Sequence, residues 1–462
     1  MAAKIAAARR AAVVWRRTTV GQRVNALRAL WRALAARRAE IGWVVHEETG
    51  KPLIEVDLME LGCAGQLVEW MTSVAPRVLG EKAAWKPWFF FNKRAYERRV
   101  PVGVVGLITP WNMPFLIPFG DAFAAMLAGN AVLLKPSEWT TKTALWLEEA
   151  VAATSLLPEG LLSVVPGGAT SGERVLDASD MVIFTGSPQA GRAVAARAAS
   201  QLKRAILELG GKHSMIVLAD AALERAAAAA VWGACANAGQ VCTAVERIFV
   251  EASVYDRFVE LLRPRVAALR ARLDGRQADL GRLMLPASLE RVKAQLEDAR
   301  VKGARVIGGE VQDAAHRLLA PALVLDARMD MTVMTEETFG PVIPVMKVAR
   351  AEDAVALANA GPEGLAASVW TSDLAKGESL AAALDVGLAG VNEPATHYAF
   401  GALPFGGVKG SGLGRRHGEE GLLSFTQAQS IVVHEWPAGT PDPWWFPYDE
   451  RKAGFLRRLL GL

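Results

Sequence analysis

Residues 22–50 set apolar side chains at helical intervals (Leu27, Leu30, Trp31, Leu34, Ile41), and the run stops at Gly50-Lys51-Pro52 before a further helical stretch. The chain therefore opens on an all-helical lead-in. From Val102 the pattern changes to short aliphatic runs separated by helical segments: VGVVGLIT, AVLLKP, LLSVVP, MVIFTG and AILELGG. Such alternation predicts an α/β unit in which a parallel sheet is covered by helices on both faces. A second series begins with SMIVL near Met215. It continues through a long alanine-rich helix from about Ala222 to RIFV, ARVIGG, PVIPVM, ASVWT and AGVN, and predicts a second α/β unit. Two stretches fit neither series. WFFFNKRAYERRV (88–100) and FTQAQSIVVHEW (425–436) read as β-rich arms, and an exposed strand edge invites pairing with another chain.

Composition narrows the classes. A chain of 462 residues exceeds one ordinary core, and 52% hydrophobic with 22% charged residues is a globular balance. The net charge of +4 is small and its cations are interspersed with acids, so no nucleic-acid stripe is expected. Three cysteines, Cys63, Cys235 and Cys242, make neither a disulfide framework nor a CxxC pair, which suits a reducing cytoplasm. The N-terminal MAAKIAAARR lacks the apolar core of a secretory signal. Val100 to Gly120 carries no charge and is long enough to span a bilayer, but Pro101, Pro110, Pro114 and Pro118 argue for a buried strand and turn instead.

Three motifs carry candidate chemistry. Glu208, in LELGG, emerges from an apolar strand where burial would raise its pKa toward the range of a general base. Alone, it reads equally as a capping or ion-paired carboxylate. Cys242, in ANAGQVCTA, taken alone reads first as a buried small side chain. Its small neighbours nevertheless leave room for a substrate and for a backbone N–H aimed at an oxyanion. Asn112, in PWNMP, offers a second amide donor or is a simple turn residue.

PWN (110–112), KPSE (135–138), FTGS (184–187), LELGGK (207–212), GQVC (239–242), EETFGP (336–341) and PFGGVKGSG (404–412) follow one another in the order and spacing of the NAD(P)-dependent aldehyde dehydrogenase superfamily. The chain resembles that family over nearly its whole length. The resemblance implies the aldehyde dehydrogenase fold, with two parallel-sheet α/β domains and a small β oligomerisation arm. The NAD-binding domain would take residues 1–87 and 101–211, and the catalytic domain 212–424. The arms would be 88–100 and 425–436, leaving a tail at 437–462. It implies Cys242 as nucleophile, Glu208 as general base, and Asn112 with the Cys242 amide as oxyanion hole. On the cofactor side it implies Trp111, Lys135, Ser137, Glu138, Ser187, Leu209, Glu337 and Phe339, with Lys135 and Glu138 at the adenosine ribose. NAD is the expected cofactor, with NADP possible and no metal. The segment PGGATSGERVLDASDMVIF departs from the family by its shortness, and it lacks a GxGxxG fingerprint.

Implied partners are a small aldehyde and further copies of the chain, as homodimer or homotetramer. Among enzymes, CoA-acylating and succinate-semialdehyde activities are the alternatives; from another class, a silent scaffold. The tail places Phe455, Leu459 and Leu462 on one helical side among cations, a pattern for packing on its own subunit or for peripheral membrane contact. An aldehyde tunnel is expected from Met113, Phe115, Leu116, Val241, Thr243, Tyr398, Phe400, Leu403 and Phe405, segments without Lys or Arg. The overall wording resembles the subgroup typified by diapolycopene-dialdehyde dehydrogenases, which points to long apolar aldehydes.

Overall fold

The structure, a computed structural model, describes residues 1–394, 396–437, 439–442 and 444–461. The helical lead-in runs through Ala2–Trp15, Val20–Ala36, Arg38–Thr49 and Cys63–Val78. Thr19 and Gln22 form a reciprocal capping box at the second helix, and Gly50, at φ 72°, ends the third. Between the third and fourth of these helices, residues Val56–Gly62 form a π-helical turn. Such turns redirect side chains and recur at functional sites.

The first α/β unit holds a six-stranded sheet. Its order is Gly412–Leu413, Arg204–Glu208, Met181–Thr185, Val104–Ile108, Ala131–Lys135, Leu162–Val164, all parallel except the first strand. The register pairs Ile108 with Lys135, Ile108 with Phe184 and Thr185 with Glu208. The carboxyl ends of these strands are thus level, and the segments after them share one edge, where ligands of open parallel sheets bind. The uncharged stretch resolves into the strand Val104–Ile108, a turn, and the fully buried helix Leu116–Leu127. No described helix is long and apolar enough to cross a membrane.

The second unit is a seven-stranded sheet ordered Arg305–Gly308, Ala322–Leu325, Val342–Val348, Val245–Glu251, His213–Val217, Ala366–Trp370, Leu388–Val391, with only the first pairing antiparallel. Burial on both faces accounts for its continuous aliphatic runs.

The two arms pair with each other inside one chain. Lys93–Pro101 runs antiparallel to Thr426–His434 from Lys93↔His434 to Pro101↔Thr426, with Lys82–Ala83 on the far side. This takes one edge of each arm and leaves Thr426–His434 as the outer strand. The segment PGGATSGERVLDA is a turn followed by the helix Ala169–Ala178. The tail forms the helix Glu450–Leu460, which contains no buried residue; Lys452 ties it to the carbonyls of Trp445 and Pro447. Phe455 is exposed and Leu459 partly so, while Leu462 lies outside the described residues.

Candidate active site

The helix Leu223–Cys235 ends in a strained turn. Asn237 and Ala238 both sit at φ 54°, ψ 35°, and a left-handed alanine costs about 1–3 kcal/mol unless its surroundings hold it. They do: Glu55 Oε1 accepts from Asn237 N (2.8 Å), Gln240 Nε2 donates to the carbonyls of Asn237 (3.0 Å) and Arg282 (3.1 Å), and Gln240 Oε1 accepts from Met284 N (2.8 Å). Gly239 must be glycine, since its φ is 75° and a Cβ would lie 2.3 Å from the Gly340 carbonyl carbon. Cys242 follows at the centre of a turn closed by Ala244 N donating to Val241 O (2.9 Å). Burial, then the nearby Glu208, pushes its thiol up to about 12.

Asn112 hangs from the edge of the first sheet and reaches this turn. Its Nδ2 donates to Gln240 O (2.9 Å), which uses one of two amide hydrogens. Its backbone carbonyl accepts from Lys51 Nζ (3.0 Å) and Asn237 Nδ2 (3.1 Å). Lys51 pairs in turn with Glu60 at 2.5 Å, both side chains wholly buried, and Glu60 Oε2 accepts from Phe115 N (3.1 Å) and Leu116 N (2.7 Å). The lead-in helices thus fix the position of Asn112.

Glu208 is buried and neither carboxylate oxygen has a hydrogen-bond partner among the described residues. Burial raises its pKa to about 8, opposed by Arg416. Arg416 Nε stands 3.7 Å from Glu208 Oε1, its Nη1 lies 3.5 Å from Asp121 Oδ2, and its Nη2 donates to Thr185 Oγ1 (2.6 Å). Glu208 therefore faces a fixed cation without being locked by it.

Two cavities meet here. One, of about 190 Å³, is lined by Trp111, Asn112, Ser187, Glu208, Leu209, Cys242, Glu337 and Phe339 together with Thr185, Gly186 and Arg291. Eight of the expected residues are so brought together. Lys135, Ser137 and Glu138 lie outside it, at the end of strand Ala131–Lys135, with Lys135 Nζ 3.2 Å from Glu138 Oε2. The other cavity, of about 290 Å³, shares Asn112, Ile117 and Cys242. Its remaining walls include Met113, Leu116, Val241, Thr243, Tyr398 and Phe405, as expected, and none of its described lining residues is charged. Phe115, Phe400 and Leu403 are not among them: Phe115 is 1% exposed and stacks on Phe119 in the core, while Phe400 and Leu403 are 55% and 51% exposed. Leu58, Met59, Cys63 and Trp232 take those places.

A profile of the aldehyde dehydrogenase family matches residues 1–431. The 4,4'-diapolycopene aldehyde oxidase of Methylomonas sp is 39% identical over 98% of this chain and 86% of its own. The mitochondrial succinate-semialdehyde dehydrogenase of Arabidopsis thaliana is 34% identical over 93% of this chain and 81% of its own. The crystal structure of an NAD-dependent aldehyde dehydrogenase from Sinorhizobium meliloti superposes with a TM-score of 0.89 at 33% identity, covering 96% of this chain and 88% of that one. The chain belongs to the aldehyde dehydrogenase family.

In this aldehyde dehydrogenase the groove can hold an anionic dinucleotide. Two helices, Ala169–Ala178 and Pro188–Ser200, begin at the carboxyl edge of the first sheet, and helix N-termini attract phosphate. Ser187 caps the second, accepting from Ala190 N, and at Gly168, which caps the first, a side chain would meet nothing within 4 Å. Lys135 adds a nearly buried cation. Glu337, raised to about 7 by burial, accepts from Gly211 N (3.2 Å). Its loop is pinned by Glu246, which accepts from Lys212 Nζ, Thr338 N and Phe339 N, each at 2.8 Å.

Glu246, Lys212, Lys51, Glu60, Asp121 and Arg416 are the site's unforeseen members. Lys212 stands in the LELGGK motif and Lys51 in the helix stop Gly50-Lys51-Pro52, neither read as a site residue there, and Asp121 left a trace as the one acid inside an otherwise apolar helix.

Proposed function

We propose that this enzyme oxidises apolar aldehydes to carboxylic acids with NAD(P)+. The observation that carries the proposal is the placement of Cys242 and Asn112 in the walls of both cavities, one with acids and amide donors, the other uncharged. An aldehyde entering by the apolar cavity meets the thiol from one side, and Trp111, Glu337 and Phe339 in the groove on the other would hold the nicotinamide end of the cofactor.

Cys242 Sγ adds to the carbonyl carbon as its proton leaves for solvent, so acylation does not draw on Glu208. The alkoxide accepts from the second Asn112 amide hydrogen and the Cys242 N–H. NAD(P)+, when bound, supplies the hydride acceptor. A thioester on Cys242 remains. Glu208, deprotonated and free of other hydrogen bonds, takes a proton from water as that water attacks the thioester; the acid leaves and the thiol is restored. Retention of Glu208 supports water over a CoA thiol as the second nucleophile.

The substrate class rests on the walls. A succinate semialdehyde carboxylate would go unpaired there, at several kcal/mol, whereas each buried methylene contributes about 0.8 kcal/mol. NADH formation with a panel from acetaldehyde to decanal, benzaldehyde and succinate semialdehyde tests this. A rise with apolar length supports the reading; succinate semialdehyde outperforming decanal and benzaldehyde defeats it.

In the same reading the lead-in and six-stranded sheet form the NAD-binding domain, and the seven-stranded sheet the catalytic one. Glu138 favours NAD+ over NADP+. The outer strand Thr426–His434 pairs with a second copy, giving a homodimer or dimer of dimers, which light scattering checks. Three free thiols suit a reducing cytoplasm.

A further inference from the structure

The apolar cavity is too small for a long substrate. At roughly 30 Å³ per water-sized group, 290 Å³ holds on the order of ten non-hydrogen atoms. A longer chain must emerge past the outer wall, where Leu58 and Trp232 are 63% and 46% exposed. Both residues also line a second recess, of about 520 Å³.

This recess is a trough between two elements. On one side are Ile54, from the short helix Leu53–Glu55, and Leu58, from the π-helical turn. On the other, Ala228, Val231, Trp232 and Cys235 form one face of the helix Leu223–Cys235, at intervals of three, four and seven residues. Its charged wall residues are already engaged. Arg265 donates to Glu224, Asp279 accepts from Arg270, and Glu55 accepts from Asn237 N and is pushed up to about 7 by burial.

We infer that the trough is a distal subsite, which takes the far segment of an apolar aldehyde too long for the inner cavity. Its occupant is the substrate's own chain, because the trough adjoins the inner cavity, the two sharing Leu58 and Trp232 in their walls. The inference rests on the aldehyde reading above. It adds that chain length is read outside the tunnel, by residues that never approach the reacting carbon.

Ile54→Asp and Ala228→Trp test it. Both positions are exposed and lie outside the inner cavity, so neither variant should unfold the protein or touch Cys242. One puts charge on the trough wall and the other narrows the trough. For hexadecanal, kcat/KM should fall about tenfold in each, the equivalent of about two methylenes losing apolar cover. For hexanal, which fits inside, it should stay within about twofold. An unchanged hexadecanal rate, an equal fall for both aldehydes, or a wild type that gains nothing from hexanal to hexadecanal would overturn the subsite. Failure of the aldehyde reading looks different: succinate semialdehyde would then exceed both in the wild type.

Discussion

On one side of Cys242 the cavity walls carry Glu208, Glu337 and Arg291, with Arg416 and Asp121 behind them; on the other, from Met113 to Phe405, no described wall residue is charged. The difference follows from the elements that meet there. The charged side is built from the carboxyl ends of parallel strands, where chain segments turn and polar groups converge. The uncharged side is built from helix faces, the π-helical turn and the buried start of helix Leu116–Leu127. A single thiol thus stands between a wall with a buried carboxylate on one side and an uncharged wall on the other.

The sharpest break in that contrast is removal of the shared residue. Cys242→Ala should reduce dehydrogenase turnover to background, while NAD+ binding, measured by calorimetry or fluorescence quenching, stays nearly intact. Loss of NAD+ binding would mean the thiol belongs to the groove rather than to the seam between the cavities.

Next in size is Glu208→Gln. Steady-state turnover should drop by about 10²–10⁴, while one equivalent of NADH still appears as a burst, since only thioester hydrolysis needs the base. In the wild type the same group sets the pH profile. Glu208 is held near 8 by burial and by Asp121, against Arg416 and Arg415, so its basic form is lost as pH falls. Thioester hydrolysis should therefore climb about tenfold per pH unit toward pH 8 and then level off. A flat single-turnover hydrolysis rate from pH 6 to 9 would remove Glu208 from the step.

How much of this contrast the sequence reveals depends on which side is considered. Strands buried on both faces read as aliphatic runs, and Trp111, Asn112, Ser187, Glu208, Leu209, Glu337 and Phe339 stand in short motifs beside them. The uncharged side is harder. Leu58, Met59 and Cys63 face the cavity because of a π-helical turn, which regular helical spacing does not encode. Phe400 and Leu403 mislead in the opposite sense: apolarity in a loop does not say which way a side chain points, and both turn outward. A buried ion pair such as Asp121–Arg416 joins residues far apart in the chain, so neither partner signals the other. The arms illustrate the same limit, since their alternation predicts strands but not that they pair with each other.

The uncharged side is sharpened by chain length. Within the inner cavity each added methylene should raise kcat/KM by up to about fourfold from acetaldehyde onward. A cation placed there should reverse the order. Met113→Arg is expected to lower activity on decanal and to improve succinate semialdehyde relative to it. If the ratio of the two is unmoved, Met113 does not face the substrate.

The smallest effect is expected at the outer end of the charged side. Glu138 is 59% exposed at its side chain and is held below the usual carboxylate range by its own backbone N–H and by Lys135. In the proposed reading the adenosine ribose lies beside it, where a carboxylate would accept hydrogen bonds from ribose hydroxyls and repel a 2′-phosphate, so NAD+ should be favoured. Solvent screens an exposed charge, and such pairs are worth about 0.2–1 kcal/mol. Lys135, 3.2 Å away, offsets part of the repulsion. Glu138→Gln should accordingly improve kcat/KM for NADP+ by no more than about fivefold and change NAD+ by less. A wild-type enzyme that already prefers NADP+, or a variant in which both cofactors shift equally, would show that Glu138 does not read the ribose.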